Sequence, residues 1–127
     1  MKKPSTPRFS FEQQPVGQAM VFSLTGVMDL EETAQLRRAF WDAIHQSRSR
    51  KLIVDLKKVP SLAPSAISLF VATKNMVFKK KGRLVLVGLN ESAYGLLEEA
   101  NLDEYFDIRT TVEEGLAEPI APPEEDA

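Results

Sequence analysis

The sequence predicts a single α/β domain built on a four- or five-stranded mixed sheet, with its helices mainly on one face. Three observations lead there. Short apolar runs rich in Val, Ile and Leu alternate with longer stretches of helical periodicity, which implies a sheet with right-handed crossovers. Two such runs, KLIVDL (51–56) and RLVLV (83–87), are nearly continuous in apolar residues, as strands covered on both faces are. The 127 residues suffice for one core but not for two, and no internal repeat appears.

The elements follow in order. Residues 1–7 hold two prolines, a serine and a threonine and read as a flexible leader. Arg8 to Gln14 alternates Phe9 and Phe11 with polar residues, the pattern of a half-buried strand. Pro15-Val16-Gly17 signals a turn, and Gln18 to Thr25 forms the second arm of a hairpin. Asp29, with Glu32 three residues on, makes a capping box for a helix reaching about Gln46. Its apolar stripe is expected to include Leu30, Ala34, Leu36 or Arg37, Phe40, Trp41 and Ile44. After the interior strand 51–56, a helix starts near Pro64 or Ser65, since proline is tolerated in a first turn. Ala66, Leu69, Phe70, Thr73, Met76 and Val77 form its buried side, and Gly82 is expected at its C′ position. A strand at 83–87 and a helix capped by Asn90 or Ser92 come next, the helix closing at Asn101. Leu102 to Phe106 is a turn with aromatic anchors, Asp107 to Thr110 a short strand, and 112–117 a final helix. The domain thus spans 8–117, and the acidic, proline-rich segment 118–127 is expected to be disordered.

Composition narrows the function. The chain is 43% hydrophobic and 27% charged, ordinary for a soluble globular protein. No apolar run approaches the roughly 18 residues of a membrane span, so membrane insertion is not expected. The opening MKKPSTPRFS lacks the apolar segment of a signal peptide, and there is no cysteine, so the expected compartment is the cytoplasm. The net charge of -2 divides unevenly, with three cations in the first eight residues and four acids in the last ten. The body between is nearly neutral, which argues against nucleic acid as a partner. Lys79, Lys80, Lys81 and Arg83 form a local basic spot and read as a solvated helix end suited to the C-terminal dipole.

Catalytic chemistry is sparse. The lone His45 near the end of the first helix reads as a surface residue. No set of residues has metal-ligand spacing, and no dinucleotide, P-loop or nucleophile-elbow motif occurs. No cofactor is expected. Asp29 is explained as a cap. Asp55, near the end of an apolar strand, reads either as a carboxylate satisfied by donors of the following loop or as a polar group at the carboxyl edge of the sheet, where α/β ligand sites lie.

Four segments, LTGVMDLEETAQLRRAF (24–40), KLIVDLKKVPSLAPSAISLF (51–70), KKKGRLVLVGLN (79–90) and NLDEYFDIRTTVEEGL (101–116), together resemble the STAS domain, the fold of bacterial anti-sigma-factor antagonists and of the cytoplasmic tail of sulfate transporters. The resemblance implies an interaction module rather than an enzyme. In typical antagonists the loop and helix start after the central strand dock on a kinase-like anti-sigma factor of the GHKL type. A serine following an aspartate in that loop is phosphorylated there. The corresponding residues here are Leu62, Ala63, Pro64, Ser65 and Ala66: Ala63 stands in the aspartate position and Pro64 in the phosphoacceptor position. The resemblance therefore implies partner binding through Ser61, Leu62, Ala63, Pro64 and Ser65 in a partner-switching system, with the usual serine phosphoswitch absent. Ser65 is the candidate for a displaced phosphoacceptor; its plainer role is a hydroxyl for the first-turn backbone donors. The alternatives are a subunit scaffolding a transporter ATPase or multiprotein signalling complex, and a nucleotide- or lipid-binding domain.

Overall fold

The computed structural model describes residues 8–120. The leader expected at 1–7, and 121–127 of the expected tail, lie outside the described residues. Strands β1 (Ser10–Val16) and β2 (Ala19–Thr25) precede helix α1 (Leu30–His45), β3 (Lys51–Lys58), α2 (Pro64–Lys79) and β4 (Arg83–Val87). Helix α3 (Glu91–Glu99), β5 (Asp107–Arg109) and α4 (Val112–Ala117) complete the chain. The five strands lie in the order β1-β2-β3-β4-β5, with β1 antiparallel to β2 and all other pairs parallel.

Local chemistry accounts for the joints. The β1–β2 hairpin turns at Gly17-Gln18 rather than at Pro15, and Pro15 and Val16 continue the strand. Pro15 is tolerated because β1 is an edge strand, and Gly17 supplies the φ of 59° at the first turn position. The Asp29–Glu32 capping box is formed in both directions, at 2.8 and 2.9 Å. At the end of α2 the left-handed residue is Lys81 (φ 62°), not Gly82. Lys81 N–H donates to the Phe78 carbonyl and Gly82 N–H to that of Val77, a Schellman pair. Glycine is needed at 82 for space instead, because a Cβ there would overlap the Arg50 carbonyl oxygen.

Successive side chains of a strand point to opposite faces, and the two faces are covered unequally. Phe22, Leu24, Leu52, Val54, Leu56, Leu84 and Leu86 face α1, α2 and α3 in the main core. There Phe22 meets Phe40 edge-to-face at 4.7 Å, and each fully buried phenylalanine contributes about 1.5–3 kcal/mol. On the other face Val21, Ile53, Val85 and Val87 form a smaller cluster packed against Val112 and Leu116 of the six-residue α4.

That second face begins with two buried cations side by side, since Lys51 opens β3 opposite Arg83 on β4. Their charge is met by the end of α4 and by Glu118 just beyond it. Lys51 Nζ donates to the carbonyls of Gly115 and Leu116, each at 2.9 Å, and to that of Glu118. Arg83 pairs with Asp107 at 2.9 Å and Glu118 at 3.4 Å, and Arg109 with Glu118 at 2.7 Å. Burial lowers the Lys51 ammonium below its usual range, with Arg83 acting the same way and Glu118 opposing. The hydrogen bond from Arg109 holds the Glu118 carboxyl below the usual carboxylate range. Glu118 and Pro119 are therefore part of the fold, and the boundary expected after 117 moves outward. Composition placed them with the tail because their partners lie on distant strands.

Candidate functional site

The expected site is the connection from β3 to α2, at the carboxyl end of the sheet. Val59 N–H closes a turn on the Leu56 carbonyl at 3.0 Å, and the Pro60 carbonyl accepts from Asn90 Nδ2 at 3.0 Å. The loop is thus tied to the start of α3 and presents a set conformation. Ala63 is the N-cap of α2, extended at φ -80° and ψ 156°, with no side-chain bond to the helix. Pro64 occupies the first helical position, exposed and without an N–H to offer. The Ala66 N–H turns back onto the Ala63 carbonyl at 3.0 Å. The first turn of α2 carries no acidic side chain, so its N-terminal partial charge goes uncompensated within the helix.

Ser65 faces α1. Its Oγ lies 3.2 Å from Thr33 Oγ1, and Thr33 Oγ1 donates its own hydrogen to the Asp29 carbonyl at 2.8 Å. With that hydrogen committed, Ser65 is the donor and Thr33 the acceptor. The hydroxyls form a chain from α2 through α1 to the residue that caps α1. Ser65 does not serve the backbone donors of its own helix, and this replaces the role expected of it. No signal in the sequence pairs positions 33 and 65, because the pairing depends on how two helices pack.

The five expected contact residues divide. Ser61, Ala63 and Ser65 are partly exposed and Pro64 is exposed. Leu62 is only 5% exposed and belongs to the main core. Its expected place on a contact surface is therefore corrected: the side chain turns inward from the loop into the main core. Leu30 shows the reverse. The apolar stripe expected of α1 includes it, yet it is 76% exposed, because it lies about 120° round the helix from Leu36. Ala34 and Trp41 are likewise exposed. Leu30 and Val27 stand on the same sheet end as Pro64 and add apolar surface there.

Asp55 stays apart from these residues. It shares the α4 face with Ile53, accepts from Lys57 N–H at 3.1 Å and lies 3.8 Å from Lys57 Nζ. It lines a polar cavity of about 270 Å³ with Ser23, Thr25, Lys57 and Lys58. The carboxylate is satisfied as one reading expects, but by Lys57 of the same strand rather than by donors of the following loop. Ser61 and Ser65 do not line that cavity. His45 stacks on Trp41 at 4.1 Å, and its Nδ1 lies 3.1 Å from the Trp41 carbonyl. Among the described residues no group of three or more His, Cys, Asp or Glu could hold a metal ion, and no helix is long and apolar enough to cross a membrane.

A five-stranded mixed sheet with three crossover helices on one face and a short helix on the other defines a single α/β domain. The STAS domain profile matches residues 10–115, and the chain belongs to the STAS family. Comparison with curated proteins returns no match. Among solved structures, the chain is similar to an assigned anti-sigma factor antagonist from Thermotoga maritima, at 20% identity over 84% of this chain and 91% of that one (TM-score 0.77). It is similar to the antagonist SpoIIAA in its unphosphorylated form, at 18% identity over 84% and 94% (TM-score 0.70). A third is an antagonist from Mycobacterium paratuberculosis, at 20% identity over 86% and 92% (TM-score 0.71). At these identities the likeness is one of fold. The phosphorylated form of Bacillus SpoIIAA has been solved too.

Proposed function

We propose that this STAS domain is a non-catalytic protein-binding module of a bacterial partner-switching system. It engages an anti-sigma factor of the GHKL serine-kinase type through the β3–α2 connection, without phosphorylation of that loop. The observation that carries this reading is the start of α2. The position before the helix is an alanine and the first helical residue a proline, so neither offers a hydroxyl. The serine of the first helical turn, Ser65, has its hydroxyl engaged by α1. A phosphate on Ser65, bringing about -1.5 to -2 charges, would break the chain to Thr33 and stand near Asp29, Glu31 and Glu32 at the start of α1. What remains accessible is a small contact of Pro64 and Ala63, rimmed by Ser61 and Ser65 and enlarged by Leu30. An apolar centre with a polar rim is the usual make-up of a protein contact.

The test uses a GHKL-type kinase that co-purifies with the chain from its native host. The wild type stays unphosphorylated by intact mass, whereas Ala63→Asp with Pro64→Ser gains one phosphate. Pro64→Glu, at an exposed position, keeps the far-UV spectrum and melting temperature but weakens kinase binding at least tenfold. Equal affinity for wild type and Pro64→Glu would remove this loop from the interface.

A further inference from the structure

We propose that two copies of this chain pair through the end of the sheet opposite the β3–α2 connection, the basic half of that end in each copy meeting the acidic half in the other. Parallel strands β3, β4 and β5 all begin at this end, and α1, α2 and α3 each run down to it. The ends of α1 and α2 bring Arg48, Arg50, Lys79, Lys80 and Lys81 there, all exposed. Arg83 N–H donates to the Arg50 carbonyl at 2.8 Å, and Arg50 Nη2 donates to the Lys81 carbonyl at 3.0 Å, so the two segments form one surface. The end of α3 and the loop after it bring Glu98, Glu99 and Glu104, which are exposed, and Asp103, which is partly so. Among the described residues none of these cations and carboxylates is in an ion pair. The net charge of the chain is only -2, so the division into a basic and an acidic half is a local arrangement.

Phe78 stands between the halves. Leu102 N–H closes on the Leu97 carbonyl at 2.8 Å and turns the chain after α3 back towards α2. There the Tyr105 hydroxyl donates to Asn75 Oδ1 at 3.1 Å, and Lys74 Nζ lies 5.0 Å from the centre of the Tyr105 ring. Phe78 follows Asn75 by three positions and Lys74 by four, so it lies on the same flank of α2. It is 63% exposed, with the cations to one side and the loop carrying Asp103 and Glu104 to the other. A two-fold axis lying in the contact plane over Phe78 exchanges the halves. The cations of each copy then face the carboxylates of the other, and the two Phe78 rings meet at the centre. Exposed ion pairs are each worth little, but as complementary sets they fix orientation and choice of partner, and the aromatic centre supplies the apolar burial. The acids also select this occupant over a polyanion, because a uniformly negative surface spanning this end would meet Glu98, Glu99 and Glu104 as well as the cations. The β3–α2 connection stays open in both copies, so the pair presents two such sites at its far ends.

Sedimentation of the full-length chain over a concentration series tests the pairing. The expected result is a dimer whose dissociation constant rises at least tenfold at about 1 M salt, where charges are screened beyond about 3 Å, and at least tenfold in Phe78→Asp. The variants K79E/K80E/K81E and E98K/E99K/E104K are each expected to be monomeric alone, since like charges then face each other. Mixed in equal amounts they are expected to dimerise with a dissociation constant within tenfold of the wild type's. A mixture that stays monomeric would overturn the proposal, as would variants that each dimerise alone as tightly as the wild type. So would a wild type that is monomeric at every concentration yet sediments with vesicles of anionic phospholipid, which would assign the cations to a polyanionic surface instead.

Discussion

Lys51→Met removes the group on which the second face of the sheet depends. Lys51 is 2% exposed, and its ammonium closes three carbonyls at the end of α4 and just beyond it. A methionine fills the same length but donates nothing. Each hydrogen bond from a charged group contributes about 1.5–3 kcal/mol net, yet the sum overstates the loss. Burial of the ammonium next to Arg83 already opposes it, and the freed carbonyls regain water once α4 frays. A six-residue helix has no stability of its own, so α4 is expected to detach from Ile53 and Val85 as a unit. We expect a net loss of about 2–3 kcal/mol, or about 10 °C in melting temperature at about 4 °C per kcal/mol for a chain of this length. Amide exchange should accelerate in α4 while the amides of Phe22 and Phe40 keep their protection. Lys57→Met, on the same strand but 68% exposed, should change stability by no more than about 1 kcal/mol. The pH dependence gives an independent reading. Because the pKa of Lys51 is lowered in the fold, the unfolded chain holds the proton longer as pH rises. Stability from this residue therefore grows between the lowered value and the usual lysine value, and Lys51→Met lacks that growth. An unchanged melting temperature together with unchanged exchange in α4 would refute the reasoning.

Two further outcomes concern buried or paired side chains. Leu62→Ala should lose about 2–5 kcal/mol by denaturant titration, since the residue belongs to the core; a loss below about 1 kcal/mol would return it to the surface. The depressed pKa of Glu118 contributes stability that is fully present above the usual carboxylate value and lost as pH falls through the folded-state value. Glu118→Gln should therefore flatten the acid limb of the stability–pH curve, and an acid limb identical to the wild type's would count against the Arg83–Glu118–Arg109 cluster.

Legibility followed the range of each interaction. Helix identities, the Asp29 capping box and the Asn90 cap were readable because they rest on contacts three or four residues apart. The buried runs of β3 and β4 announced themselves in composition, and the order of elements with right-handed crossovers carried the architecture. The chemistry of the α2 start was equally visible, since Ala63 and Pro64 lack hydroxyls whatever they touch. What escaped was decided by side chains meeting across the sequence. Leu30 and Leu62 exchanged expected places because helix phase and loop direction are set by packing against the sheet. Gly82 proved to be constrained by the Arg50 carbonyl rather than by its own φ. The bond between Ser65 and Thr33 depends on the placement of α2 against α1. The sequence alone determined that the loop offers no hydroxyl in the usual acceptor position. Only the tertiary structure decided that Ser65, in the first turn of α2, is engaged by another helix. It also decided that Arg48, Arg50 and Lys51 share one end of the sheet with Lys79, Lys80, Lys81 and Arg83, because parallel β3 and β4 both begin there.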